Sequence, residues 1–111
     1  MLHTNRGKPH GDTGDVLAWY REMRPQFGPW KYVELTFEAP EPGVAGRPKV
    51  VRFVDVQENA LELLGLNFGY RGHTPTDVVK ILVSEGFNKD RVAAVVFNES
   101  ETVRYPQTIV R

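Results

Sequence analysis

The stretch that decides the fold is residues 73–97, which read HTPTDVVKILVSEGFNKDRVAAVVF. Thr74 is of the type that caps a helix N-terminus, and Pro75 suits the first helical position, where its missing N–H costs nothing. Asp77, three residues after Thr74, completes a variant of the capping box and places a negative charge at the positive end of the helix. The pattern therefore predicts a helix that begins at Thr74.

The same stretch also predicts the end of this helix and the two elements after it. Gly86 suits the left-handed residue that closes a helix, and Phe87 can then fold back on Leu82 in a Schellman arrangement. Residues 88–90 are typical of a turn. The continuous apolar run Val92–Phe97 has the length of a strand covered on both faces, so we predict a central strand there.

Toward the N-terminus the chain predicts a tail and a first helix. Residues 1–11 are polar and hold glycine and proline, which indicates a flexible tail. Asp12 or Thr13 is the N-cap of the next helix. Its buried stripe has i, i+3/i+4, i+7 spacing and consists of Val16, Trp19, Tyr20 and Met23.

Two strands come next, joined by a long loop, and a third strand ends the chain. Tyr32–Glu38 alternates apolar and polar residues, which is typical of a half-buried strand. Residues 39–48 hold three prolines and two glycines, which predicts a loop. Lys49–Val54 is the second strand, and we expect the pair to be antiparallel. Thr102–Val110 predicts the last strand, and Pro106 within it indicates an edge position.

The segment after the second strand admits two predictions. Asp55–Glu58 resembles a capping box, after which a helix would carry one buried stripe and end at Gly65. That stripe would consist of Ala60, Leu61 and Leu64. The alternative is a strand, because apolar residues nearly alternate from Leu61 to Phe68. We favour the helix over residues 56–64.

The predicted order of elements is α-β-β-α-α-β-β, in a single α+β domain that covers residues 12–111. Four strands and three helices predict a four-stranded, mostly antiparallel sheet with the helices packed on one face. Residues 49–54 and 92–97 are candidates for one parallel pairing, which would need a right-handed crossover.

Composition bounds the class of protein. The 111 residues carry 14 Lys+Arg and 14 Asp+Glu, so the chain lacks the basic excess of nucleic-acid-binding proteins. The absence of cysteine excludes disulfides and thiolate chemistry and favours a reducing compartment. The N-terminus has no signal-peptide core, and no apolar run reaches the length of a membrane span. We therefore expect a cytoplasmic protein.

Aromatic residues crowd the first third of the chain. Most of them are expected in the core, because aromatic side chains supply the largest buried areas. The alternative is an exposed surface for a ligand or partner, since exposed apolar patches usually mark binding sites. The residues that would form this surface are Trp19, Tyr20, Trp30 and Tyr32, with Arg21 beside them.

A histidine beside a carboxylate is the main candidate for catalysis. Outside the predicted N-terminal tail, His73 and Asp77 form the only such pair at short spacing. General-base catalysis also needs a nucleophile or substrate within hydrogen-bond reach. The helix start at Thr74 is a candidate anion site. Pro75 removes one of its amides and Asp77 places a negative charge there, so both weaken this prediction.

The candidate ligands for a metal have a spacing that matches no known ligand motif. They are His3, His10, Asp12 and Asp15. We therefore expect no metal and no cofactor.

These observations favour a small, soluble, non-enzymatic binding domain. We expect it to form a homodimer through an exposed sheet edge or face. It would bind a protein or a small apolar ligand through the aromatic surface. One alternative is a small enzyme with its cleft at residues 67–77, using His73 and Asp77 with Arg71. The other is a weak nucleic-acid-binding protein, which would use Arg21, Arg24, Lys49 and Arg52.

Overall fold

The computed structural model describes residues 1–6, 12–37, 49–69, 72–97 and 105–111. These residues form five strands, which are β1 (Leu2–Thr4), β2 (Trp30–Phe37), β3 (Lys49–Asp55), β4 (Ala60–Leu64) and β5 (Gln107–Val110). The helices are α1 (Thr13–Met23), α2 (His73–Ser84) and α3 (Lys89–Val96), with a 3-10 turn at Arg24–Gln26. No helix in these ranges is long and apolar enough to cross a membrane.

The strands form one sheet in the order β1-β4-β3-β2-β5. Every pairing is antiparallel except that of β1 with β4, which is parallel. The α+β class is confirmed, but the sheet is mixed and has five strands rather than four. The chain order is correspondingly β-α-β-β-β-α-α-β instead of the predicted α-β-β-α-α-β-β.

The additional strand, β1, lies within the segment that the sequence assigned to a polar tail. Leu2–Thr4 extend the sheet along the outer side of β4. Asn5 continues the pairing through its side chain, whose amide donates to the carbonyl of Leu64 and accepts from its N–H, both at 2.8 Å. The sequence did not reveal this strand, because an edge strand can be held by backbone hydrogen bonds alone and need not carry the apolar side chains that predict a strand. Residues 7–11 lie outside the described ranges.

All three helices pack on the same face of the sheet, in agreement with the predicted one-sided arrangement. The strands contribute Val33, Leu35, Val51, Phe53, Leu61, Leu63 and Ile109 to this core. The helices contribute Val16, Leu17, Tyr20, Val78, Leu82, Val92, Val95 and Val96. The alternate residues of the strands point to the second face, on which no described helix packs and which we call the open face.

Helix α1 begins as the sequence predicts. The side chain of Asp12 accepts from the N–H of Asp15 at 2.9 Å, and the Asp15 carboxylate accepts from the N–H of Asp12 at 3.2 Å. This is a reciprocal capping box built from two aspartates. Val16, Leu17 and Tyr20 form its buried side.

Helix α2 ends as predicted but begins differently. The N–H of Phe87 donates to Leu82 and that of Gly86 to Val83, which is the Schellman pattern, and Gly86 has a φ of 95°. At the start, Gly72 is the N-cap and makes no side-chain cap. The prediction that Thr74 caps α2 is wrong, because its hydroxyl instead bonds the Thr13 hydroxyl of α1 at 3.0 Å.

The predicted helix over residues 56–64 is wrong, and the strand alternative is the observed structure. Asp55 does accept backbone N–H groups, but these belong to Gln57 and Asn59, both at 2.9 Å, within a turn. Glu58 adopts a φ of 65° there, which reverses the chain into β4. An aspartate that accepts amides two to four residues ahead serves a tight turn as well as a helix N-terminus.

The predicted central strand Val92–Phe97 is also wrong, because this run lies in α3. The side chain of Asn88 accepts from the N–H of Arg91 at 2.9 Å and caps the helix. Val92, Val95 and Val96 are fully buried at helical spacing, whereas Ala94 is exposed. A parallel pairing with residues 49–54 therefore does not form.

The remaining strand predictions agree with the structure where it describes them. β2 and β3 pair antiparallel, and β5 lies at an edge beside β2. Pro106 immediately precedes β5 rather than interrupting it. The predicted loop over residues 39–48 and the first three residues of the predicted last strand lie outside the described ranges.

Candidate functional site

The centre of the aromatic cluster belongs to the core. Tyr20 and Trp30 are each only 2% exposed. The indole N–H of Trp30 donates to the Tyr20 hydroxyl at 3.0 Å. Phe53 lies 5.0 Å from the Trp30 ring and 5.1 Å from the Tyr20 ring, centroid to centroid. The indole of Trp30 is therefore part of the fold and offers almost no surface to a partner.

The other residues of the predicted aromatic surface lie in different places. Trp19 is half-buried and packs against the core. Tyr32 lies on the open face of the sheet, between Val54 and Val110 on its neighbouring strands. Arg21 lies on α1 and lines a groove together with the edge of Tyr20. The structure therefore does not bring the five predicted residues together as one surface.

The groove lies between α1 and α2 and has a volume of about 430 Å³. Leu17, Tyr20 and Ile81 supply its apolar walls. Its polar lining consists of Arg21, Arg24, Asp77, Lys80, Ser84 and Glu85. On each helix these residues recur every three or four positions, so one face of each helix lines the groove.

One end of the groove is closed by a fixed ion pair. Nε of Arg24 donates to the Glu85 carboxylate at 2.7 Å, which ties the end of α1 to the end of α2. The Arg24 guanidinium lies 4.5 Å from the centroid of the Trp30 ring and also donates to the carbonyls of Phe27 and Gly28. Arg24 is therefore a structural cation, whose Nε and Nη1 groups are engaged in holding the fold.

The other charges of the groove have no ion-pair partner in the part of the chain that the structure describes. These charges are Arg21, Lys80 and Asp77. Arg21 and Lys80 are also exposed. The groove thus holds two cations and one anion that remain available to a ligand, beside an apolar wall.

The hydroxyl groups of the groove are engaged in structural hydrogen bonds. Ser84 donates to the carbonyl of Ile81 at 2.7 Å, within its own helix. Burial raises the pKa of the Tyr20 hydroxyl well above its ordinary value of 10.0, against the lowering effect of the Trp30 hydrogen bond. At neutral pH Tyr20 is therefore a neutral group, and neither hydroxyl is arranged as a nucleophile.

The two residues of the predicted catalytic pair lie one helical turn apart on α2. Asp77 lines the groove, but His73 is exposed at the start of α2 and does not line it. Thr74, the candidate anion ligand, has its hydroxyl engaged with Thr13.

The candidate metal ligands do not form a site. Asp12 and Asp15 cap α1, and His3 packs its ring 5.4 Å from that of Phe27. His10 lies outside the described residues. No group of three metal-binding side chains occurs within the described ranges.

A row of charges crosses the middle of the open face. The register aligns Thr4, Glu62, Arg52, Glu34 and Thr108 across the five strands. Glu62 is 3% exposed and is bonded by Arg52, by Arg6 at 3.1 Å and by Thr4 at 2.9 Å. Burial opposes the ionisation of Glu62, but these hydrogen bonds and charges outweigh it and hold its pKa below the ordinary value. Arg52 and Glu34 are 3.6 Å apart, and both are about one-third exposed.

The neighbouring row on the open face is apolar along its whole length. The register aligns Leu2, Ala60, Val54, Tyr32 and Val110. Leu2 is 56% and Val110 is 71% exposed, although both are large aliphatic residues. Five strands spaced about 4.8 Å apart make this row about 19 Å long. Sequence reasoning missed it, because the row joins residues from both ends of the chain.

The four candidate nucleic-acid contacts do not share a surface. Arg24 is held by Glu85, and Arg52 by Glu62 on the open face. Lys49 donates to the side chain of Asn67 and, at 2.7 Å, to the carbonyl of Phe68. Arg21 alone of the four offers the groove a charge that no described residue neutralises.

Comparison with known proteins finds no match for this chain among family models, curated proteins or solved structures. The groove and the open face are therefore the only basis for its proposed function.

Proposed function

We propose that this protein is a non-enzymatic interaction domain that forms a homodimer through the open face of its sheet. The observation that carries the proposal is the apolar row from Leu2 to Val110, whose two ends are more than half exposed. Val54 at the centre of the row is 5% exposed, so the exposed apolar surface lies at the two ends. Large aliphatic side chains exposed on a sheet face that no described helix covers are usually covered by a partner. The cytoplasmic location remains a prediction from composition.

The charges of the open face favour a second copy of the chain as that partner. Two sheets stack face to face when one is rotated by 180° about an axis that lies between them. An axis parallel to the strands and between β2 and β3 places Arg52 of each copy opposite Glu34 of the other. An axis along β3 would instead oppose Arg52 with Arg52, which is repulsive. Charge complementarity therefore favours the first axis over the second.

The same axis also matches the apolar rows of the two copies. It places Tyr32 opposite Val54 and Val110 opposite Ala60 of the second copy, since β5 then lies over β4. The opposite end of the open face is already covered within the chain, because Val50 is fully buried. The dimer contact is therefore expected at the end of the face that carries Tyr32 and Val110, whereas β1, with Leu2, lies outside the overlap of the two sheets.

Sedimentation velocity tests this proposal on the intact chain. The wild-type protein is expected to sediment as a dimer at tens of micromolar, and Val110→Lys as a monomer, because a lysine ammonium buried in the apolar row would be unpaired. Val83→Lys is the matched control, since Val83 is also exposed but lies on α2. A wild-type monomer at several hundred micromolar, or a Val110→Lys dimer, would contradict the proposal.

The enzyme alternative has less support in the geometry. Its two main residues, His73 and Asp77, do not line one cleft. The serine and tyrosine hydroxyls of the groove are engaged in structural hydrogen bonds. These arrangements favour binding over nucleophilic or general-base chemistry.

A further inference from the structure

Beyond self-association, we infer that the groove between α1 and α2 is a binding site for a small apolar molecule that carries one carboxylate. This site is on the helical side of the molecule, opposite the open face, and does not depend on the dimer. Its volume of about 430 Å³ is within the range of small-ligand pockets, about 300–1,000 Å³.

The carboxylate is specified by the unpaired cations of the groove. Arg21 on α1 and Lys80 on α2 face the same space, and neither is in an ion pair with a described residue. A guanidinium binds a carboxylate through two parallel hydrogen bonds, and an ammonium adds a third donor from the other helix. The charge of Arg24 is already paired with Glu85, so Arg21 and Lys80 carry the uncompensated positive charge of the groove.

The apolar body is specified by the walls of the groove. Ile81 on α2 is half-buried and supplies most of this carbon surface, while Leu17 and Tyr20 on α1 are buried and contribute only their small exposed parts. The Tyr20 hydroxyl accepts from the indole N–H of Trp30 at 3.0 Å, so it is already engaged within the core. An aromatic ring or a short alkyl chain lying against these residues would remove apolar surface from water.

Asp77 limits the charge of the ligand. Its carboxylate lines the same groove and has no cationic partner among the described residues. A second negative charge on the ligand would be repelled by Asp77, so a monocarboxylate is favoured over a phosphate monoester or a dicarboxylate. Asp77 is thus a selectivity residue in this site.

Titration of the ¹⁵N-labelled full-length protein with 4-phenylbutyrate and octanoate tests the inference. Each carboxylate is expected to give saturable amide shifts along residues 17–24 and 77–85, and the corresponding uncharged amides are expected to bind at least about fivefold more weakly. The double substitution Arg21→Gln with Lys80→Gln is expected to weaken the carboxylates about tenfold or more. Lys89→Gln, at an exposed lysine outside the groove, is the control and leaves the affinity unchanged.

Asp77→Asn provides a second and opposite readout. Removal of its negative charge is expected to tighten carboxylate binding about two- to fivefold, whereas weaker binding would mean that Asp77 recruits a cation and would overturn the inference. The inference is also overturned if neither carboxylate shifts the groove amides at millimolar concentration, or if the amides bind equally well. The inference would also be overturned if the Arg21/Lys80 double variant bound the carboxylates as tightly as the wild type. None of these substitutions touches the open face, so the dimer proposal stands or fails separately.

Discussion

The indole N–H of Trp30 donates to the hydroxyl of Tyr20 at 3.0 Å in the centre of the core. Both side chains are 2% exposed, so neither polar group has water as an alternative partner. Tyr20→Phe would leave the buried indole N–H of Trp30 without an acceptor, and such a group costs its full desolvation penalty. The substitution is therefore expected to lower the free energy of unfolding by about 1–3 kcal/mol. Urea unfolding followed by tryptophan fluorescence measures this change.

Tyr32→Phe is the matched control for that prediction. The Tyr32 hydroxyl makes no hydrogen bond to a described residue and lies on the open face. Its removal is expected to change the free energy of unfolding by less than about 0.5 kcal/mol. Equal effects of the two substitutions would show that the Trp30–Tyr20 hydrogen bond does not stabilise the fold.

The carboxylate of Asp55 makes the stability of the fold depend on pH. It is fully buried and accepts the N–H groups of Gly28 at 3.0 Å and of Gln57 and Asn59 at 2.9 Å. Burial acts to raise the pKa of Asp55, but these hydrogen bonds outweigh it and hold the pKa below its ordinary value of 3.8. The stabilisation is therefore complete above that value and is lost as the pH falls through the lower folded pKa.

Asp55→Asn is expected to lower the free energy of unfolding at pH 7 by about 2 kcal/mol, because the amide presents a donor to backbone donors. Asp55→Asn should also weaken the fall in the free energy of unfolding at acid pH, because the group that titrates there has been removed. Urea unfolding between pH 2 and pH 7 measures both effects. If the free energy of unfolding falls as steeply at acid pH in Asp55→Asn as in the wild type, the pH dependence belongs to other carboxylates.

Two glutamates offer a direct comparison of a buried and an exposed ion pair. Glu62 is 3% exposed and is bonded by Arg6 and Arg52, whereas Glu58 is 65% exposed in its pair with Lys31. Glu62→Gln is expected to cost about 1–3 kcal/mol, limited by the partial exposure of the two arginines. Glu58→Gln is expected to cost less than about 0.5 kcal/mol. Chemical unfolding of both variants at neutral pH checks the order, which would be contradicted by similar losses.

Gly86 is required by its backbone conformation, because its φ is 95°. A Cβ there would lie 2.9 Å from Nε of Arg111, but this atom belongs to a flexible side chain that can move aside. Gly86→Ala is therefore expected to lower the free energy of unfolding by about 1 kcal/mol or more. Gly28→Ala is the control, because a Cβ at Gly28 meets its nearest atom at 3.8 Å, which is ordinary contact. Thermal unfolding showing both variants at the wild-type midpoint would refute the prediction.

The elements whose sequence motif fits only one local structure could be predicted from the sequence. The Asp12–Asp15 pair starts α1, and Gly86 with Phe87 ends α2, because these arrangements satisfy helix termini and little else. The alternation of Tyr32–Glu38 likewise identified β2, and the loop over residues 39–48 predicted its antiparallel pairing with β3. In each case the local signal and the burial pattern agree.

The errors occurred where one residue type serves two structures. Asp55 accepts backbone amides in a tight turn as it would at a helix start, so the segment before β4 resembled a capping box. The run Val92–Phe97 is apolar throughout, so its periodicity does not separate a buried strand from a buried helix. The N-cap bond of Asn88 decides the matter, and it is visible only in the structure.

The candidate sites were harder to predict than the fold, because each combines distant parts of the chain. Tyr20 and Arg21 were named from the sequence as part of the aromatic surface, and Asp77 as part of a catalytic pair. The packing of α1 on α2 places all three in one groove. Lys80 and Ile81 share the helical spacing of Asp77 but carried no functional signal of their own. The open face depends on the pairing of β1 with β4, which a three-residue strand does not reveal.

The most direct test of the proposed dimer is an isotope-filtered NOE experiment on a mixture of labelled and unlabelled chains. Val110 and Ala60 lie on strands three positions apart in the sheet, about 14 Å within one chain. The proposed axis brings them together across the interface, so an intermolecular NOE between their methyl groups is expected. Intermolecular NOEs confined to helix methyls such as those of Val83, or no intermolecular NOE at millimolar concentration, would contradict self-association through the open face.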